Sequence, residues 1–118
     1  MGKIVVFKGS TRKNGYSTKL VEQVISGALL FTTGGSSVNP TPGMGNVGIA
    51  ISGLRNYIFN LNSELKNKGI YVGHVSIGIW MQPNSGVQDK IANIWYDMYT
   101  KKDRTEEYVT EDKIDQIN

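Results

Sequence analysis

Apolar and polar residues alternate along this chain in blocks, short β-branched runs followed by stretches with helical spacing. Lys3-Ile4-Val5-Val6-Phe7, ended by Gly9-Ser10, predicts a buried parallel strand over 3–7. Residues 9–16 are polar and Ser17 stands at an N-cap position. Leu20, Val21, Val24, Ile25 and Ala28 then recur at helical spacing, so a helix is expected over 17–28. Leu29 to Thr33 predicts a second strand, stopped by Gly34-Gly35, and the Gly, Pro and Ser of residues 34–46 read as a connector. The seam Val47, Ile51, Leu54, Ile58, Leu61, Leu65 predicts the longest helix, from about Gly45 to a stop at Gly69 after Lys66 and Lys68. Residues 70–80 read as a third strand, apolar on both faces, with His74 inside it. Pro83 to Gly86 form a turn, and Ile91, Ile94, Trp95, Met98 and Tyr99 mark the inner face of a helix over 88–101. Tyr108-Val109-Thr110 suits a short edge strand, and the acidic tail beyond it holds too few apolar residues to predict order.

The resulting string of alternating strands and helices predicts one α/β domain over 1–110 with an acidic tail over 111–118. Its sheet is parallel, of about four strands, with right-handed crossovers, a truncated Rossmann or flavodoxin-like architecture. If the strands follow one another in order, successive helices fall on one face and the other is left bare. That predicts a homo-oligomer, a dimer or higher.

At 118 residues there is room for a single core. The absence of cysteine excludes disulfides, thiolate metal sites and a cysteine nucleophile, and a lone histidine, His74, argues against zinc. No run of 18 apolar residues and no signal-peptide layout is present, so the expectation is a cytoplasmic protein with no membrane partner. The net charge of +3 is unevenly spread: residues 1–28 carry five basic side chains against Glu22, and residues 86–118 carry five basic against eight acidic. A basic opening segment suits a phosphate. Basic residues interleaved with aromatics along one face are missing, so no nucleic-acid partner is expected.

Ligands of open parallel sheets sit outside the carboxyl ends of the strands, which directs attention to residues 9–16, 34–46 and 77–87. In the first loop, backbone amides at a helix start, the hydroxyls of Ser10, Ser17 and Thr18, and Arg12 would converge on an anion. The run Ile-Val-Val-Phe-Lys-Gly-Ser-Thr-Arg-Lys-Asn-Gly-Tyr-Ser-Thr-Lys-Leu resembles the opening of flavodoxin-like NAD(P)H-dependent FMN reductases. The resemblance covers residues 1–28. It implies FMN as cofactor, with Ser10, Arg12, Tyr16, Ser17 and Thr18 around its phosphate.

Residues 29–109, from Leu-Leu-Phe-Thr-Thr-Gly-Gly-Ser through Glu-Leu-Lys-Asn-Lys-Gly-Ile-Tyr-Val, resemble instead the C-terminal half of a short-chain dehydrogenase/reductase. In that family a serine, a tyrosine and a lysine perform the proton transfer. Aligned on Leu54-Arg55, those positions hold Gly34, Val47 and Ile51, none of which donates a proton or carries charge. No catalytic residue is therefore assigned. The family's glycine-rich first turn is also absent, so a complete NAD(P) site is not expected. The two resemblances together make the chain look like a chimera joined at about residues 26–30.

Two functional readings lead at this level, with a working reductase completed by its partner subunit as a third. One is an oxidoreductase-like nucleotide-fold domain that binds a phosphate-bearing small molecule such as FMN with little or no turnover. The other is a non-catalytic oligomeric assembly module with no cofactor. Within either, His74 reads as a strand residue with a satisfied ring, and Trp80, Trp95, Tyr96 and Tyr99 read as core or interface. The acidic residues 103–112 read as a solvated face.

Overall fold

The computed structural model describes residues 3–8, as backbone, and residues 27–117. Strands β1 (Lys3–Lys8), β2 (Gly27–Gly34), β3 (Ile70–Ile77) and β4 (Glu106–Val109) join in a parallel sheet in that order. Helix α1 (Gly45–Leu65) connects β2 to β3, α2 (Val87–Lys101) connects β3 to β4, and α3 (Glu111–Asp115) follows β4. The architecture is α/β with a small parallel sheet. The predicted loop 9–16 and most of the predicted helix 17–28 lie outside the described residues. The last two positions of that helix instead open β2, where Gly27 has φ 121° and Ala28 is fully buried. A positive φ of that size is incompatible with a helix and open to glycine.

The pairing register sorts the side chains. Leu29 lies opposite Val72, Phe31 opposite His74, Thr33 opposite Ser76, and His74 opposite Glu106. Alternate strand residues point to opposite faces, so these all share one face, and Leu30, Val75, Ile77 and Val109 share the other. Against the first face pack Ile58, Leu61 and Leu65 of α1, in one cluster with Leu29, Phe31, Ile70 and Val72. Against the second pack Ile91, Ile94 and Met98 of α2 and Ile114 of α3, in one cluster with Val75 and Val109.

The two helices therefore cover opposite faces. Since β2, β3 and β4 advance across the sheet in one direction, two right-handed crossovers would put both helices on the same side. The β2–α1–β3 and β3–α2–β4 connections thus have opposite hands, which corrects the expectation of right-handed crossovers throughout. It also removes the bare sheet face from which oligomerisation was expected.

Three boundaries differ from the sequence pattern. Strand β3 ends at Ile77, and Trp80, expected inside it, is 89% exposed. The α1 seam is buried only from Ile58 onward; Leu54 packs at its margin and Val47 is 47% exposed. The acidic tail is ordered through residue 117. Thr110 caps α3 by accepting from the Lys113 amide, Glu111 and Asp112 occupy the first turn where the helix dipole favours acids, and Ile114 is buried. One cap and one buried isoleucine are enough to fix a single turn that a count of apolar residues misses.

Candidate functional site

All five residues expected to hold a phosphate, Ser10, Arg12, Tyr16, Ser17 and Thr18, lie outside the described residues. The described carboxyl edge of the sheet is formed by the ends of β2 and β3, at Gly34 and Ile77. In doubly wound sheets a crevice opens where neighbouring connections leave toward opposite faces, and β2 and β3 are such a pair here. That crevice is filled. A Cβ on Gly35 would come 2.7 Å from the Gly78 Cα, and a Cβ on Gly78 would come 2.6 Å from the Tyr108 ring. Backbone lies against backbone at Gly35, where only glycine fits, and the ring and hydroxyl of Tyr108 cover Gly78, so a side chain there would have to displace Tyr108.

The positions where the resemblance would put a serine, a tyrosine and a lysine hold Gly34, Val47 and Ile51. A Cβ on Gly34 would sit 3.9 Å from Ile51 Cδ1, so the first and third positions do meet in space. Their meeting is apolar. Ser36 and Ser37 offer no substitute. Ser36 donates to Thr41 Oγ1 at 3.1 Å, and Ser37 turns inward.

Inward from this edge lies a chain of polar groups on the α1 face. Ser76 Oγ donates to the Gly34 carbonyl at 3.1 Å and lies 3.0 Å from Ser37 Oγ. Ser37 Oγ lies 2.8 Å from Thr33 Oγ1, which lies 2.8 Å from His74 Nε2. The other ring nitrogen, Nδ1, is 2.9 Å from Glu106 Oε2, and Arg55 of α1 donates to both Glu106 oxygens at 2.6 and 2.8 Å. Thr33, Ser37, His74 and Ser76 are all buried, and among the described residues no buried side-chain polar atom lacks a partner. His74 is thus a strand residue with both ring nitrogens engaged.

The charges of this cluster are set by burial and by one another. Burial pushes the His74 pKa down, against the hydrogen bond and charge of Glu106, and Arg55 adds to the lowering. Burial works to raise the Glu106 pKa, but the hydrogen bonds from Arg55 and His74 outweigh it and hold the carboxyl below its ordinary value. Glu106 is therefore an anion between a guanidinium and an imidazole. The order hydroxyl, imidazole, carboxylate in Thr33, His74 and Glu106 has the sequence of a nucleophile and its base, yet Thr33 is only 6% exposed. A reacting group has no approach to it.

The acidic residues 103–112 are not simply a solvated face. Glu106 belongs to the buried chain. Arg104 ties Asp97, Asp103 and Glu107 together at 2.7 to 2.8 Å, and Lys113 also pairs with Glu107. The aromatic residues do not stack into a box. Trp95 packs on the α2 face with its indole donating to Thr32 Oγ1 at 3.3 Å, Tyr99 lies beneath the Lys102 ammonium, and Trp80 and Tyr96 face outward.

At the opposite, amino edge an open groove of about 390 Å3 runs between Lys66, Tyr71, Lys102 and Arg104. Tyr71 Oη donates to the Arg104 carbonyl at 2.8 Å, and burial pushes its pKa up to about 12, partly opposed by Arg104, so it stays protonated.

The sequence singled out His74 but missed its partners Thr33, Ser37, Arg55, Ser76 and Glu106. A signal was present: His74 and Ser76 sit two apart in a strand, a spacing that places both on one face. Their far partners come from the register with β2 and β4, which no local pattern encodes.

No family model, curated protein or solved structure matches this chain. Among the described residues no group of three or more His, Asp or Glu is placed to hold a metal ion, and no helix is long and apolar enough to cross a membrane.

Proposed function

We propose that the chain is an oxidoreductase-like nucleotide-fold domain that binds a phosphate-bearing small molecule through its opening loop and performs no turnover of its own. The meeting of Gly34 with Ile51 carries the second half of this reading: where a short-chain dehydrogenase places its proton-transfer groups, this chain has a hydrogen atom and a butyl side chain. The binding half rests on Ser10, Arg12, Ser17 and Thr18 and on the resemblance of residues 1–28 to FMN reductases. Tyr16 stands in the same loop.

The described residues do not themselves fit a flavin ring. The β2–β3 crevice is closed by Gly35, Gly78 and Tyr108, and no buried polar atom there is left to receive one. The phosphate is therefore the part of the ligand that this chain is suited to recognise, with FMN as the cofactor that the resemblance suggests.

A thermal-shift panel with inorganic phosphate, FMN, FAD, NADH and NADPH tests this directly. A ligand at one hundred times its Kd stabilises the folded state by about 2.7 kcal/mol. Phosphate and FMN should raise Tm, and Arg12→Ala with Ser17→Ala should abolish the rise. A flat response to both, or NADPH-dependent carbonyl reduction at ordinary enzymatic rates, overturns the proposal.

The assembly reading also has one observation in its favour. Ile49, Trp80 and Tyr96 are 77%, 89% and 70% exposed, large apolar side chains that a second copy would cover. Sedimentation of the full chain separates a homo-oligomer from a monomer and is independent of any ligand.

A further inference from the structure

The buried chain has more contacts than a neutral imidazole can fill with protons. Five contacts run in series: Glu106 to His74, His74 to Thr33, Thr33 to Ser37, Ser37 to Ser76, and Ser76 to the Gly34 carbonyl, which Thr33 Oγ1 also reaches as a longer side branch at 3.3 Å. Each hydroxyl brings one proton, a neutral imidazole brings one and an imidazolium brings two. With a neutral ring, Nδ1–H must face the Glu106 carboxylate, since a bare Nδ1 would set lone pair against lone pair at 2.9 Å. Nε2 then accepts from Thr33. Ser76 serves Gly34, and the single proton of Ser37 can point to Thr33 or to Ser76 but not to both. One of the two contacts that hold Ser37 is empty.

An imidazolium removes the shortage. Nε2–H donates to Thr33, Thr33 to Ser37, Ser37 to Ser76, and Ser76 to Gly34, so every contact of the series has its proton, the Gly34 carbonyl is served by Ser76 rather than by Thr33, and the hydroxyls of Thr33 and Ser37 both point away from the ring. Ser37 belongs to the 3₁₀ turn Gly35–Ser37, whose N-cap is Gly34, at the carboxyl end of β2.

We propose that His74 gates this turn: uptake of a second proton by the ring turns the Thr33 hydroxyl from the ring to Ser37, fixes the Ser37 hydroxyl on Ser76, and so fastens the turn to the sheet with one more hydrogen bond. The charged groups facing His74 among the described residues are Glu106 from β4 and Arg55 from α1; β2 and the turn contribute only hydroxyls, and α2 lies on the other face. Acid that reaches the ring therefore tightens the first segment of the connector that leaves the sheet's carboxyl edge. The device needs no ligand and stands apart from the proposed phosphate site.

Because His74 is the only histidine, its ring nitrogens give a single set of NMR signals in the full chain. The turn has its own probes in the Val38 and Asn39 amides, which donate to the Gly35 carbonyl at 3.0 and 2.9 Å. Titrating from pH 8 to pH 4, protection of these amides from exchange should rise about five-fold, the worth of one ordinary hydrogen bond, with the midpoint of the ring titration. In Thr33→Val the ring should titrate at lower pH and the amides should no longer follow it. Ser37→Ala keeps the hydroxyl beside the ring and cuts the link to the turn, so by reciprocity the ring loses only the same roughly five-fold factor in proton affinity and titrates slightly below its original pH while the amides stay flat. Unchanged amide protection while the wild-type ring titrates, a ring that stays neutral until the chain unfolds, or coupling that survives in Ser37→Ala overturns the proposal.

Discussion

On the face covered by α1 the strands change character half-way along, whereas on the face covered by α2 apolar side chains continue to the carboxyl end, with Thr32 and Glu107 beside them. The α1 face begins with Leu29, Phe31, Ile70 and Val72 under Ile58, Leu61 and Leu65, then turns to Thr33, His74, Ser76 and Glu106. The α2 face carries Val75, Ile77 and Val109 under Ile91, Ile94, Met98 and Ile114. Both faces are buried, so the contrast is one of what burial achieves. Apolar packing supplies most of the folding free energy and is indifferent to small shifts. A paired polar cluster adds little net stability, yet it distinguishes one register from the next. Sliding β3 by a single residue would turn His74 and Ser76 onto the α2 face, away from Thr33, Ser37 and Glu106.

The contrast is broken first by cutting into the apolar portions. Phe31→Ala should cost about 4 kcal/mol and Met98→Ala about 3 kcal/mol, as large-to-small changes at sites 2% and 0% exposed. Urea denaturation measures both. A cost below about 1 kcal/mol for Met98→Ala would mean that α2 is loosely laid on its face rather than packed into it.

Glu106→Gln comes next, at about 2 kcal/mol, since it leaves Arg55 and His74 facing a neutral group while Arg55 stays 37% exposed and partly solvated. The same residues give stability its pH dependence. His74, depressed when folded, contributes stability that is present above its ordinary pKa of 6.5 and is lost as pH falls below that value toward its folded one. Glu106, also depressed, contributes stability present above 4.5 and lost as pH falls through its folded pKa. Both act in the same direction. Denaturation midpoints should fall on acidification in two steps, and Glu106→Gln should remove the lower one.

These residues also mark where local sequence stops being informative. The helical seam Ile58, Leu61, Leu65 and the inner face Ile91, Ile94, Met98 were legible because a helix repeats its contacts within its own length. The hand of the two crossovers was not, because it depends on which parity of β3 each helix chooses, and β3 is apolar at both parities. The cluster was half legible. Spacing gives His74 with Ser76, but Glu106 sat in a segment whose charge suggested solvent, and only its register opposite His74 makes it a buried partner. The loop expected to hold a phosphate lies outside the described residues, so its residues rest on the sequence alone.

Gly73→Ala probes the α2 face from within the sheet. A Cβ there would come 2.9 Å from the Tyr71 ring and 3.1 Å from Trp95 Cζ3. Tyr71 is held by its bond to the Arg104 carbonyl and Trp95 by its bond to Thr32, so neither ring gives way freely. Overpacking of about 2 kcal/mol is expected, with loss of the indole's hydrogen bond visible as a shift in tryptophan emission. If the variant is as stable as wild type, the tight contact at Gly73 does not constrain this face.

The smallest effect is expected at the chain's last turn, where the α2 face is completed. Thr110→Ala removes the side-chain acceptor for the Lys113 amide and should cost about 1 kcal/mol, the ordinary worth of an N-cap. The consequence reaches beyond α3, because its Ile114 is 5% exposed and closes the cluster of Val75, Met98 and Val109. Two outcomes are distinguishable by amide exchange. If α3 frays alone, protection falls at the Ile114 and Gln116 amides, which bond within the turn to Thr110 and Asp112, and β4 is untouched. If Ile114 is part of the core, the Gly78 amide, which donates to the Val109 carbonyl, loses protection with them. The second outcome is expected, since a buried isoleucine that leaves its site exposes Val109, and it would tie an acidic tail with almost no apolar residues to the sheet.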